Sequence, residues 1–88
     1  MTVPAQQPQI LELVTQEIID LVSIEAPGVD LTADSDLQDA GLDSLKFMSV
    51  VFTIETHYDI ELQEEDADDV RTVGDLANLV VERIEEQS

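Results

Sequence analysis

Three stretches of this chain repeat their apolar residues every third or fourth position, a spacing that a helix gathers on one side and a strand cannot. Ile10, Leu11, Leu13, Val14, Ile18, Leu21 and Val22 mark an amphipathic helix from about Pro8 to Ile24, which Pro27-Gly28 ends. A second helix is expected from Ser44 to about Tyr58, because no Gly or Pro interrupts it and Asp43 stands where a cap belongs. Thr72-Val73-Gly74-Asp75 resembles a capping box with Asp in place of Glu, and Val73, Leu76, Leu79, Val80 and Ile84 carry a last helix to about Glu86.

Val50, Val51, Thr53 and Ile54 are β-branched and argue locally for a strand, but the apolar positions follow the helical period better than alternation. Between the first two helices, Glu25 to Asp43 is rich in Asp, Ser, Thr and Gly and reads as a long loop. Val29, Leu31 and Leu37 are expected to pin it, so that it is ordered. The acidic run Glu64, Glu65, Asp66, Asp68 and Asp69 is expected to form a short helix with carboxylates near its N-terminus. The fold class is therefore all-α: a small irregular four-helix bundle with one long ordered loop. One domain, 1–88, is expected, with 1–8 flexible and 87–88 frayed.

Charge narrows the function. With 21 Asp and Glu against 3 Lys and Arg, the formal charge is −18, which repels nucleic acid and anionic lipid and favours basic protein partners. The self-repulsion opposes compaction, so stability is expected to rise with salt or divalent cations. The hydrophobic fraction of 43% is that of a folded chain. No cysteine is present, so there is no thiolate nucleophile and no zinc–cysteine site. Met1 to Gln9 lack the features of a signal peptide and no apolar run reaches spanning length, which gives a cytoplasmic location and no membrane span as expectations.

Placed about 100° apart around the axis, Phe47, Val50, Val51, Ile54 and Tyr58 share one side of the second helix, the core side. Leu45, Met48 and Phe52 fall on roughly the opposite side. They are either ordinary exposed apolar residues or a docking ridge; their i, i+3, i+7 spacing and the adaptability of Met favour the ridge. The ridge begins at Ser44.

Ser44 has no base. The one histidine, His57, lies 13 positions further along the same expected helix, roughly 20 Å away, and reads as a helix-end residue. No catalytic residue is therefore assigned. A serine in the first turn of a helix is well placed to carry a phosphodiester, since free backbone N–H groups and the helix dipole favour an anion there; on position alone it also reads as a second capping residue.

The segment Asp39-Ala40-Gly41-Leu42-Asp43-Ser44-Leu45 resembles the 4'-phosphopantetheine attachment motif of the acyl carrier protein family. The helix that follows, Asp59-Ile60-Glu61-Leu62, the acidic short helix and the Thr72-capped last helix extend the likeness over the chain beyond Gln9. The resemblance implies a carrier in which a phosphopantetheinyl transferase attaches the arm of coenzyme A to Ser44. Asp43 would help engage the transferase and its metal. The arm's thiol would hold an acyl or aminoacyl group as a thioester, which reconciles zero cysteines with thioester chemistry. An acyl- or aminoacyl-loading ligase or transferase and a downstream synthase or acyltransferase would be the further partners of a monomer.

Leu45, Lys46, Met48, Ser49, Phe52 and Glu55 are the expected partner-binding residues. Fatty-acid carriers commonly have acidic residues where this chain has Lys46 and Ser49, and often Met in place of Phe52, whereas Glu55 remains. A specialised, non-housekeeping pathway is thus expected, with an aminoacyl or peptidyl carrier loaded by a stand-alone amino acid ligase as the alternative.

From another class, an acidic interaction module or weak cation binder without the arm is weighed on Asp30, Asp34, Asp36, Asp39 and Asp43. An EF-hand spacing fails, because a loop starting at Asp34 has Asp39 where Gly is required and one starting at Asp36 ends on Phe47. No metal site is assigned. Comparison with Gly-Asp-Ser-Leu hydrolases fails for want of the Gly and of an Asp-x-x-His.

Overall fold

The computed structural model describes residues 6–87, in which the chain forms α1 (Gln6–Glu25), α2 (Ser44–Tyr58), α3 (Glu64–Asp68) and α4 (Val73–Gln87). Among the described residues the sole sheet-like pairing is an isolated antiparallel bridge between Asp36 and Thr72. The all-α bundle of four helices is what the periodicity predicts.

α1 is the spine, packed against both α4 and α2. Its Val14, Ile18 and Val22, one turn apart, meet Val50 and Ile54 of α2 and Val73, Leu76, Ala77 and Val80 of α4 in one core. Each buried aliphatic side chain contributes about 1.5–3 kcal/mol, which overrides the weak helix propensity of the β-branched run in α2. Thr53 and Thr56 settle into that helix by donating their hydroxyls to the Ser49 and Phe52 carbonyls at 2.9 and 3.1 Å.

The helix ends are chemically specified. Asp43 caps α2 by accepting the Lys46 N–H at 2.9 Å. At the other end Asp59 closes α2 in the left-handed conformation, φ 56°. The capping box before α4 forms in both directions: Thr72 Oγ1 accepts from the Asp75 N–H at 3.1 Å, and Asp75 Oδ2 accepts from the Thr72 N–H at 3.2 Å and the Arg71 N–H at 3.1 Å. These backbone donors hold the Asp75 carboxyl below its usual range.

The long loop is ordered by burial of Leu37, Ala40 and Leu42 and by a short ladder onto the start of α4. Leu37 N–H donates to Arg71 O at 2.8 Å, Val73 N–H to Ser35 O at 3.0 Å, and Gly74 N–H to Ala33 O at 2.8 Å. Gly74 suits this close approach: a Cβ there would lie 3.0 Å from the Ala33 carbonyl oxygen, so a side chain would push the ladder by a few tenths of an ångström. Gly41, at φ +99°, turns the chain into Leu42 and Asp43 just before α2.

Several expectations change. Of the three loop anchors, Leu37 is buried and Leu31 half-buried, but Val29 is 41% exposed, because it follows Gly28 out of the turn after α1 before the ladder begins. α1 starts at Gln6, two residues before the expected Pro8, the missing N–H of Pro8 costing nothing in a first turn; Met1–Ala5 lie outside the described residues. Gln87 belongs to α4, one residue past the expected end, and its Nε2 donates to Asp59 O at 3.0 Å, tying the end of α4 to the end of α2. Ser88 lies outside the described residues.

Candidate functional site

Ser44 is the first residue of α2 and is exposed. Leu42, buried two positions earlier and held by its N–H to Leu37 O at 3.1 Å, fixes where the helix begins. Asp43 takes the capping role, so the Ser44 hydroxyl is left without a hydrogen-bond partner among the described residues. The competing reading of Ser44 as a second cap is thereby removed. The hydroxyl stands free at the positive end of a helix dipole, where a phosphodiester is favoured.

Two grooves meet at Ser44. The larger, about 540 Å³, is walled by Leu37, Leu42 and Phe47 on one side and by Ala67, Val70 and Arg71 on the other. The smaller, about 270 Å³, runs between α2 and the α3 region past Phe47, Met48, Val51 and Leu62. Val51, expected in the core, is buried but faces this groove and stands outside the central cluster. A free hydroxyl between a larger groove of mixed polar and apolar lining and a smaller, mainly apolar one fits a long, flexible arm that has a phosphodiester at one end and a thiol at the other.

The expected docking ridge is on the surface. Leu45 is 82%, Phe52 70% and Met48 50% exposed. Lys46 and Ser49 lie beside it, both exposed, and Lys46 makes no salt bridge among the described residues. Glu55 is placed differently: it is half-buried, and its Oε2 accepts the Leu62 N–H at 2.9 Å, so part of its carboxylate holds the α2–α3 connection.

His57 sits in the last turn of α2, far from Ser44, and cannot serve it as a base. It reaches α1 instead of its own carbonyls: its Nε2 lies 2.8 Å from Glu17 Oε2, while the Tyr58 hydroxyl donates to Glu17 Oε1 at 3.0 Å. The His57 contact holds the Glu17 carboxyl below its usual range; partial burial, then the Glu17 carboxylate, push the Tyr58 phenol up. The loop aspartates do not form a cage. Asp36 Oδ1 caps the N–H groups of Gln38 and Asp39 at 2.8 and 3.1 Å, Asp43 caps α2, and among the described residues no three potential ligands converge on a metal position.

Sequence reasoning missed the far wall of the larger groove, Ala67, Asp68, Val70 and Arg71. The signal was faint: Arg71 is one of three Lys and Arg residues in the chain. Arg83 is engaged by Asp66 and Glu86, and the Asp66 contact raises the guanidinium further above its ordinary value. Arg71 forms no salt bridge among the described residues.

Comparison with known proteins identifies the family and the fold. Residues 12–80 match the protein family described as "Phosphopantetheine attachment site". Among solved structures, the fold is similar to the crystal structure of an acyl carrier protein from Thermotoga maritima, with a TM-score of 0.74, 20% identity, and 89% of this chain and 94% of that one covered. It is also similar to the solution structure of the acetyl actinorhodin acyl carrier protein from Streptomyces coelicolor, with a TM-score of 0.69, 24% identity, and coverage of 84% and 93%.

Proposed function

The chain belongs to the phosphopantetheine-attachment family of acyl carrier proteins, and on that premise we propose that Ser44 is the residue that carries the arm. A member of this family is a carrier and not an enzyme, and its cofactor is covalently attached 4'-phosphopantetheine. The group supplies a thiol, which a chain without cysteine lacks. The observation that carries the assignment is the exposed, unpartnered Ser44 hydroxyl at the start of α2, freed by the Asp43 cap and flanked by two grooves.

The chain's own part in this chemistry is positional. Leu42 and Gly41 set the start of α2, Asp43 holds it closed, and the helix N-terminus favours the phosphodiester formed at Oγ. Oγ would take the phosphopantetheinyl group as the pyrophosphate P–O bond of coenzyme A breaks and adenosine 3',5'-bisphosphate departs, and because His57 is remote the hydroxyl proton would leave to a base other than His57. Asp43, beside Ser44 and exposed, supports contact with that enzyme and its metal.

Carrier proteins of this family meet phosphopantetheinyl transferases and biosynthetic enzymes. We propose further that Leu45, Lys46, Met48, Ser49 and Phe52 select a specialised acyl- or aminoacyl-loading ligase or transferase, with a downstream synthase or acyltransferase. The exposed apolar ridge and the Lys46 cation in a chain of −18 support that reading. Glu55 has only its remaining oxygen to offer. Cytoplasmic residence as a monomer is part of the proposal: the net charge opposes self-association, and no described helix is long and apolar enough to cross a membrane.

Incubation with coenzyme A and a phosphopantetheinyl transferase, followed by intact-protein mass spectrometry, tests the assignment. The wild-type chain gains one arm and Ser44→Ala gains none. An arm on the Ser44→Ala chain would place the attachment elsewhere, and no arm on either would sink the carrier reading in favour of an interaction module. Offering the arm-bearing form, its thiol free, to acyl- and amino-acid-activating ligases then separates the acyl from the aminoacyl alternative.

A further inference from the structure

Net charge makes the surroundings of Ser44 a poor place for another anion. The larger groove is lined by three carboxylates, Asp36, Asp43 and Asp68, on a chain of charge −18. Yet a phosphodiester at Ser44 adds a permanent negative charge there. One cation lines the groove, Arg71.

Arg71 is held where it can act. Its backbone N–H donates to Asp75 Oδ2 at 3.1 Å and its carbonyl accepts from Leu37 N–H at 2.8 Å, so the residue is clamped between the start of α4 and the loop that leads into Ser44. Its side chain is exposed and, among the described residues, makes no hydrogen bond or salt bridge. Asp75 feels its charge, but that carboxylate is already committed to two backbone N–H groups. Two of the groove's carboxylates are likewise turned to backbone, Asp36 to Gln38 and Asp39 and Asp43 to Lys46. Arg71 is therefore the uncommitted cation lining the groove, with Asp68 as the one lining carboxylate not turned to backbone, and a guanidinium presents a planar fork that matches phosphate oxygens two at a time.

We propose that Arg71 is the counter-ion of the phosphodiester that joins the arm to Ser44, and that it draws the first part of the arm into the groove walled by Leu37, Leu42, Phe47 and Val70. This rests on Ser44 being the attachment residue. It makes Arg71 a positioning residue contributed by the α3–α4 connection. Lys46, on the outer ridge and absent from the groove lining, is left for partner enzymes.

The test compares the arm-bearing and arm-free forms of the wild type, Arg71→Gln, Arg71→Lys and Lys46→Gln, after mass spectrometry has counted one arm per chain. Amide and Arg side-chain NMR shifts and the ³¹P shift of the phosphodiester are read at low and high salt. In the wild type the arm moves the signals of Leu37, Val70 and Arg71. The movement shrinks as ionic strength rises from about 0.01 to about 1 M, where the screening length falls from about 30 to about 3 Å. Arg71→Gln loses more than half of the movement and most of its salt dependence with the arm still attached, Arg71→Lys keeps part of both, and Lys46→Gln keeps all. Identical shifts in the wild type and Arg71→Gln, or no response at Arg71 in the wild type, overturn the contact while leaving Ser44 in place. An arm found on Ser44→Ala overturns both readings.

Discussion

The two sides of α2 are built from the same kinds of residue and meet opposite fates. Val50, Val51 and Ile54 are each less than 5% exposed, whereas Leu45, Met48 and Phe52 are at least half exposed. Apolar character alone therefore does not decide burial. α1 covers one side of α2, in a core that α4 shares, the α3 region reaches only the flank past Val51, and the ridge that starts at Ser44 is left over. A helix with surplus apolar surface beside an unpartnered hydroxyl is shaped for visiting proteins, while its inner side holds the bundle together.

The contrast breaks down at its strongest point if the inner side proves dispensable. Ile54→Ala should destabilise the fold by about 2–5 kcal/mol in urea or thermal melts, since it empties a site with no solvent exposure. A small cost would mean that the core is looser than its burial implies. Phe52→Glu should leave stability within about 0.5 kcal/mol of wild type. It should reduce loading by the cognate enzyme about tenfold, equivalent to about 1.4 kcal/mol. A loss of stability like that of Ile54→Ala would show that the ridge is covered in the free protein.

The smallest effect lies at the far end of α2, where Glu17 joins α1 to His57 and Tyr58. Because the folded state depresses the Glu17 pKa, its stabilisation is present above the unfolded value of about 4.3 and is lost as pH falls through the folded value. Its side chain is 45% exposed, so solvent screening limits the gain to about 0.5 kcal/mol. Glu17→Gln should thus be slightly less stable than wild type at pH 7, and the gap should close below about pH 4. A gap that widens in acid would show that Glu17 acts through something other than its charge.

What was legible in the sequence was local. The helical period placed α2 and α4 to within a residue or so, and the Thr72 capping box closes within three positions. Asp39 to Leu45 carried the family likeness that the match over residues 12–80 supports. Each depends on residues a turn or two apart, whose relation is set by backbone geometry before the chain packs.

Tertiary structure decided the rest, because it depends on which helix faces meet. Glu17 finds His57 and Tyr58 across 40 and 41 positions, and Gln87 reaches Asp59 across 28. Val29 stays exposed although it is as apolar as Leu37 and Leu42, which the same loop buries. Arg71 lines the same groove as Ser44 because the loop ladder clamps its backbone beside Leu37. Sequence by itself determined that Ser44 stands at the head of a helix without a base; only packing determined that its hydroxyl is free, that grooves flank it, and that a guanidinium lines one of them.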